Sequence, residues 1–350
     1  MNRREFIYAM GATGALLKSL PQAMAASSAG QGIKPISGSW FEFQHEPAIE
    51  GVDWNLACAR FTCEQWDAKI KEIADAGLEY LVLMSTALNF RTFFPSKIYP
   101  QWQLVCPDPL EAVLSAADKY GVKFFVGGGF YGDVQDPNII ADPVGTKKCL
   151  QAIEEIATRY GHHRSFHGWY WPNEAFINRH FSEVFIKYVN TCSQLARQVT
   201  PQARIMIAPY GTRVAVPDDE YVRQLESMDV DIISYQDEVG VRKSVPGETS
   251  AFYEGLRKAH DRAKRAAIWA DVEVFEVEGI VYRGALLPGP FERIVRQLEA
   301  VSPWVDKILI YQYQGMMNKP GSTAFCGVPE SAGLYSDYQR WLKSGTRAPS

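Results

Sequence analysis

Along this chain, short apolar segments alternate with amphipathic segments of helical period, and the pair recurs eight times. The apolar segments read as strands at 36–43, 79–84, 123–128, 166–171, 204–208, 231–235, 267–274 and 307–313. Helices are predicted between them at 62–77, 108–120, 146–160, 177–199, 218–228, 248–266, 290–301 and 331–343. The helical reading rests on spacing, as in Leu110, Val113, Leu114 and Ala117, which fall on one face before Gly121 ends the period. Thr62 with Gln65 three residues later has the form of a capping box. Strict alternation implies a parallel sheet, and eight units imply a closed (β/α)8 TIM barrel, an α/β fold. Its length of 350 residues would suggest two domains at roughly 150 residues each. The alternation instead predicts one barrel domain over 36–345. An open doubly wound sheet would place a glycine-rich phosphate loop after the first strand, but that strand runs into Glu42-Phe43-Gln44-His45. Gly127-Gly128-Gly129 lacks the G-x-G-x-x-G spacing.

Residues 1–25 read as an address rather than as part of the fold. Arg3-Arg4 followed by Phe6-Ile7, a short apolar stretch and Ala23-Met24-Ala25 have the order of a twin-arginine export signal with a cleavage site. The twin-arginine machinery is the partner this implies, a periplasmic or secreted protein is expected, and 26–35 reads as a linker. No segment reaches the ~20 apolar residues of a stable membrane span. Export permits disulfides. Of the six cysteines, Cys58 and Cys63 are close enough in sequence for a local bridge, while Cys149 and Cys192 fall in helical patterns as buried free thiols.

Charge narrows the partners. A formal net charge of −4 leaves no basic surface for a phosphate backbone, so nucleic acid is not expected. The six histidines form no H-x-H or H-E-x-x-H pair, and no metal or cofactor is expected. In a barrel of this kind, chemistry sits at the carboxyl ends of the strands. Those ends carry Glu42 and Gln44, Ser85 and Thr86, Tyr131, Asn173 and Glu174, Tyr210, Gln236 to Glu238, Glu273 and Glu276, and Gln312 to Gln314. Carboxylates, amides and aromatic rings suit glycosidic bonds: one acid protonates the leaving oxygen, one carboxylate meets the oxocarbenium-like centre, and rings cover sugar faces. Glu273 lies at the end of the mostly apolar run Ile268 to Phe275, where an unpaired carboxylate would be costly.

Several segments carry a family resemblance: Phe94-Pro95-Ser96-Lys97, Tyr160-Gly161-His162-His163, Gly168-Trp169-Tyr170 through Glu174, Gln236-Asp237-x-Val239-Gly240-Val241, and Val272-Glu273-Val274-Phe275-Glu276. With them the chain resembles a bacterial domain-of-unknown-function family of glycosidase-like TIM barrels, related to the clan A retaining glycoside hydrolases. The resemblance implies Glu174 as acid/base and Glu273 as nucleophile, in a secreted hydrolase of a poly- or oligosaccharide. Asn173, Trp171, Glu42, Tyr131, Tyr210, Asp237 and Tyr313 are the candidate substrate-binding residues. Glu273 is expected to be ionised and held by donors, and Glu174 to carry the raised pKa of a general acid. The alternative reading is a non-catalytic carbohydrate-binding or polysaccharide-assembly protein on a glycosidase scaffold. A cofactor-dependent oxidoreductase is a third, disfavoured by the missing dinucleotide loop.

Overall fold

The computed structural model describes residues 32–345, apart from Gln135, Pro137 and Asn173. The export segment and most of the linker lie outside these residues. Eight parallel strands close into a barrel: β1 Gly38–Phe41, β2 Tyr80–Leu83, β3 Lys123–Gly127, β4 Phe166–Trp171, β5 Arg204–Ile207, β6 Ile232–Gln236, β7 Ala267–Glu273 and β8 Lys307–Tyr311. Neighbours follow chain order, and β8 closes on β1 with Gly38 opposite Leu309. Helices α1 Cys63–Asp75, α2 Pro109–Tyr120, α3 Pro143–Tyr160, α4 Glu183–Val199, α5 Asp219–Ser227, α6 Pro246–Ala263, α7 Phe291–Val301 and α8 Ser331–Lys343 follow the strands in turn. The α/β barrel read from the alternation is the observed fold. Among the described residues, no helix is long and apolar enough to cross a membrane.

Local signals set the element ends. The Thr62 hydroxyl accepts from the Gln65 N–H at 3.2 Å, and Gln65 Oε1 accepts from the Thr62 N–H at 3.0 Å, so the capping box forms. Asp108 caps α2 ahead of Pro109, and Gly121 closes it at φ 75°, a conformation that glycine adopts without a Cβ penalty. α4 begins six residues later than the hydrophobic period suggests. The chain after β4 stays extended beside the end of β5: the Ile177 N–H reaches the Tyr210 carbonyl, and the Tyr210 N–H reaches the Ala175 carbonyl. Ser182 then caps the helix through the Phe185 N–H. A short helix, Asn55–Arg60, lies between β1 and α1 with no counterpart in the sequence reading.

Strand side chains alternate between two cores. Trp40, Tyr80, Val82, Phe125, Tyr170, Met206, Ile232, Trp269 and Leu309 fill the barrel interior. Residues of opposite parity, such as Phe41, Val126, Trp169, Ile233 and Ile310, pack outward against the helices. The disulfide joins Cys63, the first residue of α1, to Cys106 in the segment before α2. The local Cys58–Cys63 bridge that the spacing left open does not form: Cys58 is buried in the short helix, its sulfur 2.7 Å from Gln314 Nε2. Cys149 and Cys192 are buried with free thiols.

Candidate active site

Above the aromatic plug of the barrel, the inward parity continues with Glu42 just past β1, Tyr210 beyond β5, Gln236 at the end of β6 and Glu238 two residues past it, Asp271 and Glu273 on β7, and Tyr311 on β8. Together with Glu174, which follows β4, these side chains line one cavity at the carboxyl ends of the strands. The cavity holds about 160 Å³. A single water needs about 10–15 Å³ by the same measure, so there is room for a ligand. A hairpin of Phe275–Val277 with Leu286–Pro288 follows β7 and forms part of the wall, with Phe275, Tyr282 and Leu286 facing the cavity. The Leu286 N–H donates to the Glu50 carbonyl at 3.0 Å and ties the hairpin to the segment after β1.

Glu273 is buried, and its environment is built by the chain on both sides. Its Oε2 accepts from the Val241 N–H at 2.8 Å. Its carbonyl accepts from Gln297 Nε2 at 3.0 Å and Arg293 Nη2 at 3.2 Å, both on α7. The loop after β6 passes so close that a Cβ on Gly240 would lie 2.8 Å from the Phe275 carbonyl oxygen and 3.0 Å from the Glu273 Cβ. Burial, then the negative charge of Asp237, push the Glu273 carboxyl well above the usual range, against the Val241 N–H and the Lys243 charge. The Val241 N–H is a donor of the kind expected from sequence, while burial beside Asp237 and Asp271 opposes the charge expected on Glu273. Asp271 is raised in the same way by burial, then by Glu273, Asp237 and Glu174.

A second cluster stands on the β1 side. His45 Nδ1 lies 2.7 Å from Glu42 Oε1, and its Nε2 lies 3.1 Å from Glu50 Oε2. The Tyr311 hydroxyl donates to Glu42 Oε1 at 3.1 Å, and Gln312 Nε2 donates to the same oxygen at 2.9 Å. Burial opposes charge on His45, but Glu42 and then Glu50 outweigh it and push its pKa up to about 10. Across the cavity, Lys243 lies 3.7 Å from Glu238, with its ammonium over the rings of Tyr210 at 5.3 Å and Tyr282 at 5.5 Å. Phe130, Glu238 and Tyr282 line the cavity in left-handed backbone conformations, φ 64°, 56° and 65°. Non-glycine residues held this way cost about 1–3 kcal/mol each and cluster at functional sites.

Of the proposed catalytic and substrate-binding residues, Glu42, Glu174, Tyr210 and Glu273 meet at this cavity, and Gln44, Ser85, Gln236 and Glu238, also read at strand ends, line it too. Asn173 lies outside the described residues. Trp171 does not reach the cavity. Its parity turns it outward, where it stacks on Trp169 and donates from Nε1 to Ser193 Oγ on α4 at 3.0 Å. Tyr131 is buried against Tyr99, with its hydroxyl 3.1 Å from Thr86 Oγ1. Tyr313 lies in the helix layer and donates to Glu72 Oε1 at 2.8 Å. Asp237 also points outward: it accepts from the Glu273 N–H at 3.1 Å, the Val239 N–H at 3.2 Å and Gln297 Nε2 at 2.7 Å, so it braces β7 rather than meeting a ligand. The reading missed His45, Glu50, Lys243 and Asp271. For Asp271 the signal was present, since it lies two residues before Glu273 and therefore on the same face of β7.

A sequence model of a domain of unknown function, DUF4434, matches residues 36–324. No curated protein sequence matches the chain. Among solved structures, the chain is similar to a candidate α-L-fucosidase from Bacteroides thetaiotaomicron, with 18% identity and a TM-score of 0.68 over 89% of this chain and 96% of that one. It is similar to a β-galactosidase from Halorubrum lacusprofundi, with 12% identity and a TM-score of 0.58 over 87% of this chain and 57% of that one. An endo-β-1,4-mannanase from Thermotoga petrophila matches with 10% identity and a TM-score of 0.56 over 92% of this chain and 79% of that one. At these identities the likeness is one of fold.

Proposed function

The chain belongs to the DUF4434 family, and from that premise we propose that it is a secreted glycoside hydrolase that cleaves a poly- or oligosaccharide with retention of configuration. The observation that carries this reading is the meeting of Glu174 and Glu273, from β4 and β7, at one cavity in the barrel mouth. Glu174, half-buried on the loop after β4, protonates the leaving oxygen and then deprotonates the attacking water. Glu273 attacks the anomeric carbon and forms the glycosyl-enzyme. Its bond from the Val241 N–H and the field of Lys243 favour the charged form that attack requires. The solved neighbours named for glycosidases agree with this choice of chemistry without fixing the sugar.

The upward push on Glu273 favours a second division of labour, in which Glu273 holds the proton and Glu174 the charge. Azide separates the two. A released reducing end from a glycan panel first identifies a substrate, and the Glu174→Ala and Glu273→Ala variants are then assayed with azide. The proposed roles predict that azide rescues Glu174→Ala to a glycosyl azide of retained configuration and Glu273→Ala to an inverted one. The opposite pairing reverses the roles, and a folded protein that releases nothing from any glycan removes the hydrolase reading.

A further inference from the structure

On the footing of that hydrolase reading, we propose that the cavity takes a glycoside bearing a free ammonium group, as in an N-unsubstituted hexosamine, with Asp271 as its counter-charge. Among the described residues, the wall carries seven carboxyl side chains against two basic ones, His45 and Lys243. Both basic groups are engaged: His45 with Glu42 and Glu50, and Lys243 with Glu238. Asp271, at the floor, is only 3% exposed, and its Oδ1 has no hydrogen-bond partner among the described residues. The charged neighbours that act on it, Glu273, Asp237 and Glu174, are all acids. Glu50 Oε1, on the wall, is also buried without a partner. Among the described residues, the two cavity-lining side-chain atoms left unpaired are thus both carboxyl oxygens, and a buried acceptor without a donor is costly.

A ligand that fits must bring donors to this floor. A sugar hydroxyl supplies one donor but leaves the repulsion among the acids in place. An ammonium supplies three donors and a compensating charge, which acts strongly in a dry site. An N-acetyl group removes that charge and turns a carbonyl acceptor toward the acids, and a uronate adds to their repulsion. The arrangement therefore ranks sugars by the charge on the substituent, with the free amine first.

The test is equilibrium binding to the full chain of methyl β-glycosides of glucosamine and galactosamine, their N-acetyl forms, and the neutral hexosides, with methylammonium as a bare cation. At least one amino glycoside is expected to bind tenfold or more tightly than its N-acetyl and neutral counterparts and than methylammonium. Added salt should weaken that preference, and Asp271→Asn, checked for native thermal unfolding, should abolish it. Salt dependence in the wild type keeps the test decisive if the variant fails to fold. Equal binding of the three sugar classes, no binding of any, methylammonium binding as well as the glycosides, or a preference that survives in folded Asp271→Asn overturns the proposal. Hydrolysis of neutral glycans without amine preference would also overturn it while leaving the hydrolase reading intact. Selective amine binding without hydrolysis of any glycan would support it and remove that reading.

Discussion

Asp237 and Glu238 are adjacent in sequence and do opposite things. Glu238 faces the cavity, while Asp237 turns outward to hold the backbone of Glu273. The same parity separates Tyr170 from Trp171. At this scale the central prediction is that Glu174→Gln and Glu273→Gln each lower turnover of an unactivated glycan by roughly 10²–10⁴-fold. Glu174→Gln should recover much of its rate on substrates with good leaving groups, which depart without a proton, and Glu273→Gln should not. Equal recovery by both variants in steady-state assays would contradict the assigned roles. His45 offers an independent check. Its folded pKa, about 10, lies above its unfolded value of about 6.5. Its charge therefore stabilises the fold fully below about 6.5, and that contribution is lost as pH rises through about 10. Its imidazole resonances should not titrate between pH 6 and 8, and a midpoint near 6.5 would mean that Glu42 and Glu50 do not hold it. Glu42, Glu174, Tyr210 and Glu273 were legible because carboxylates and rings at strand ends are few. Tyr131 and Tyr313 misled because a tyrosine just past a strand can follow the loop into the helix layer, where burial suits its ring and a Glu72 or Thr86 oxygen suits its hydroxyl.

Between elements, the loop after β6 and the hairpin after β7 act as one wall around Glu273. Arg242 donates from the loop to the Gly279 and Val277 carbonyls of the hairpin at 2.9 and 2.5 Å. A tight passage beside Glu273 is Gly240, where the three nearest contacts of an added Cβ include the Phe275 carbonyl and ring. Gly240→Ala should cost about 1–3 kcal/mol by overpacking and should lower kcat more than it raises KM, since it displaces Glu273. Unchanged unfolding and kinetics would show that the wall is looser than this. Farther from the site, the disulfide closes a segment spanning 43 positions between α1 and the approach to α2. Cys63→Ala with Cys106→Ala should lower stability by about 2–4 kcal/mol in denaturant unfolding, with the cavity intact. Helix positions were legible from caps and period. The late start of α4 was not, because the backbone pairing of 175–177 with Tyr210 is a tertiary contact without a local signal.

For the whole molecule, eight alternating units left the barrel as the economical solution, and the strand order bears that out. What alternation could not convey is the electrostatic balance of the mouth, which depends on acids from β1, β4, β6 and β7 coming together. That balance sets the pH response of the proposed reaction. A nucleophilic Glu273 whose pKa is raised by burial must lose its proton first, so kcat/KM should fall with acid through a limb above the ordinary glutamate value of about 4.3. A limb at or below that value would place the essential ionisation elsewhere. Export is a proposal at the same scale: Arg3→Lys with Arg4→Lys should leave unprocessed protein in the cytoplasm, and normal processing would refute the twin-arginine reading.

The central claim, that Glu174 and Glu273 cleave a glycosidic bond through a covalent intermediate, is tested most directly by the configuration of the first product. Proton NMR of a cleaved glycan, recorded before mutarotation, should show the anomer of the substrate. The opposite anomer would contradict the account, because a single displacement by water leaves no place for a glycosyl-Glu273 intermediate.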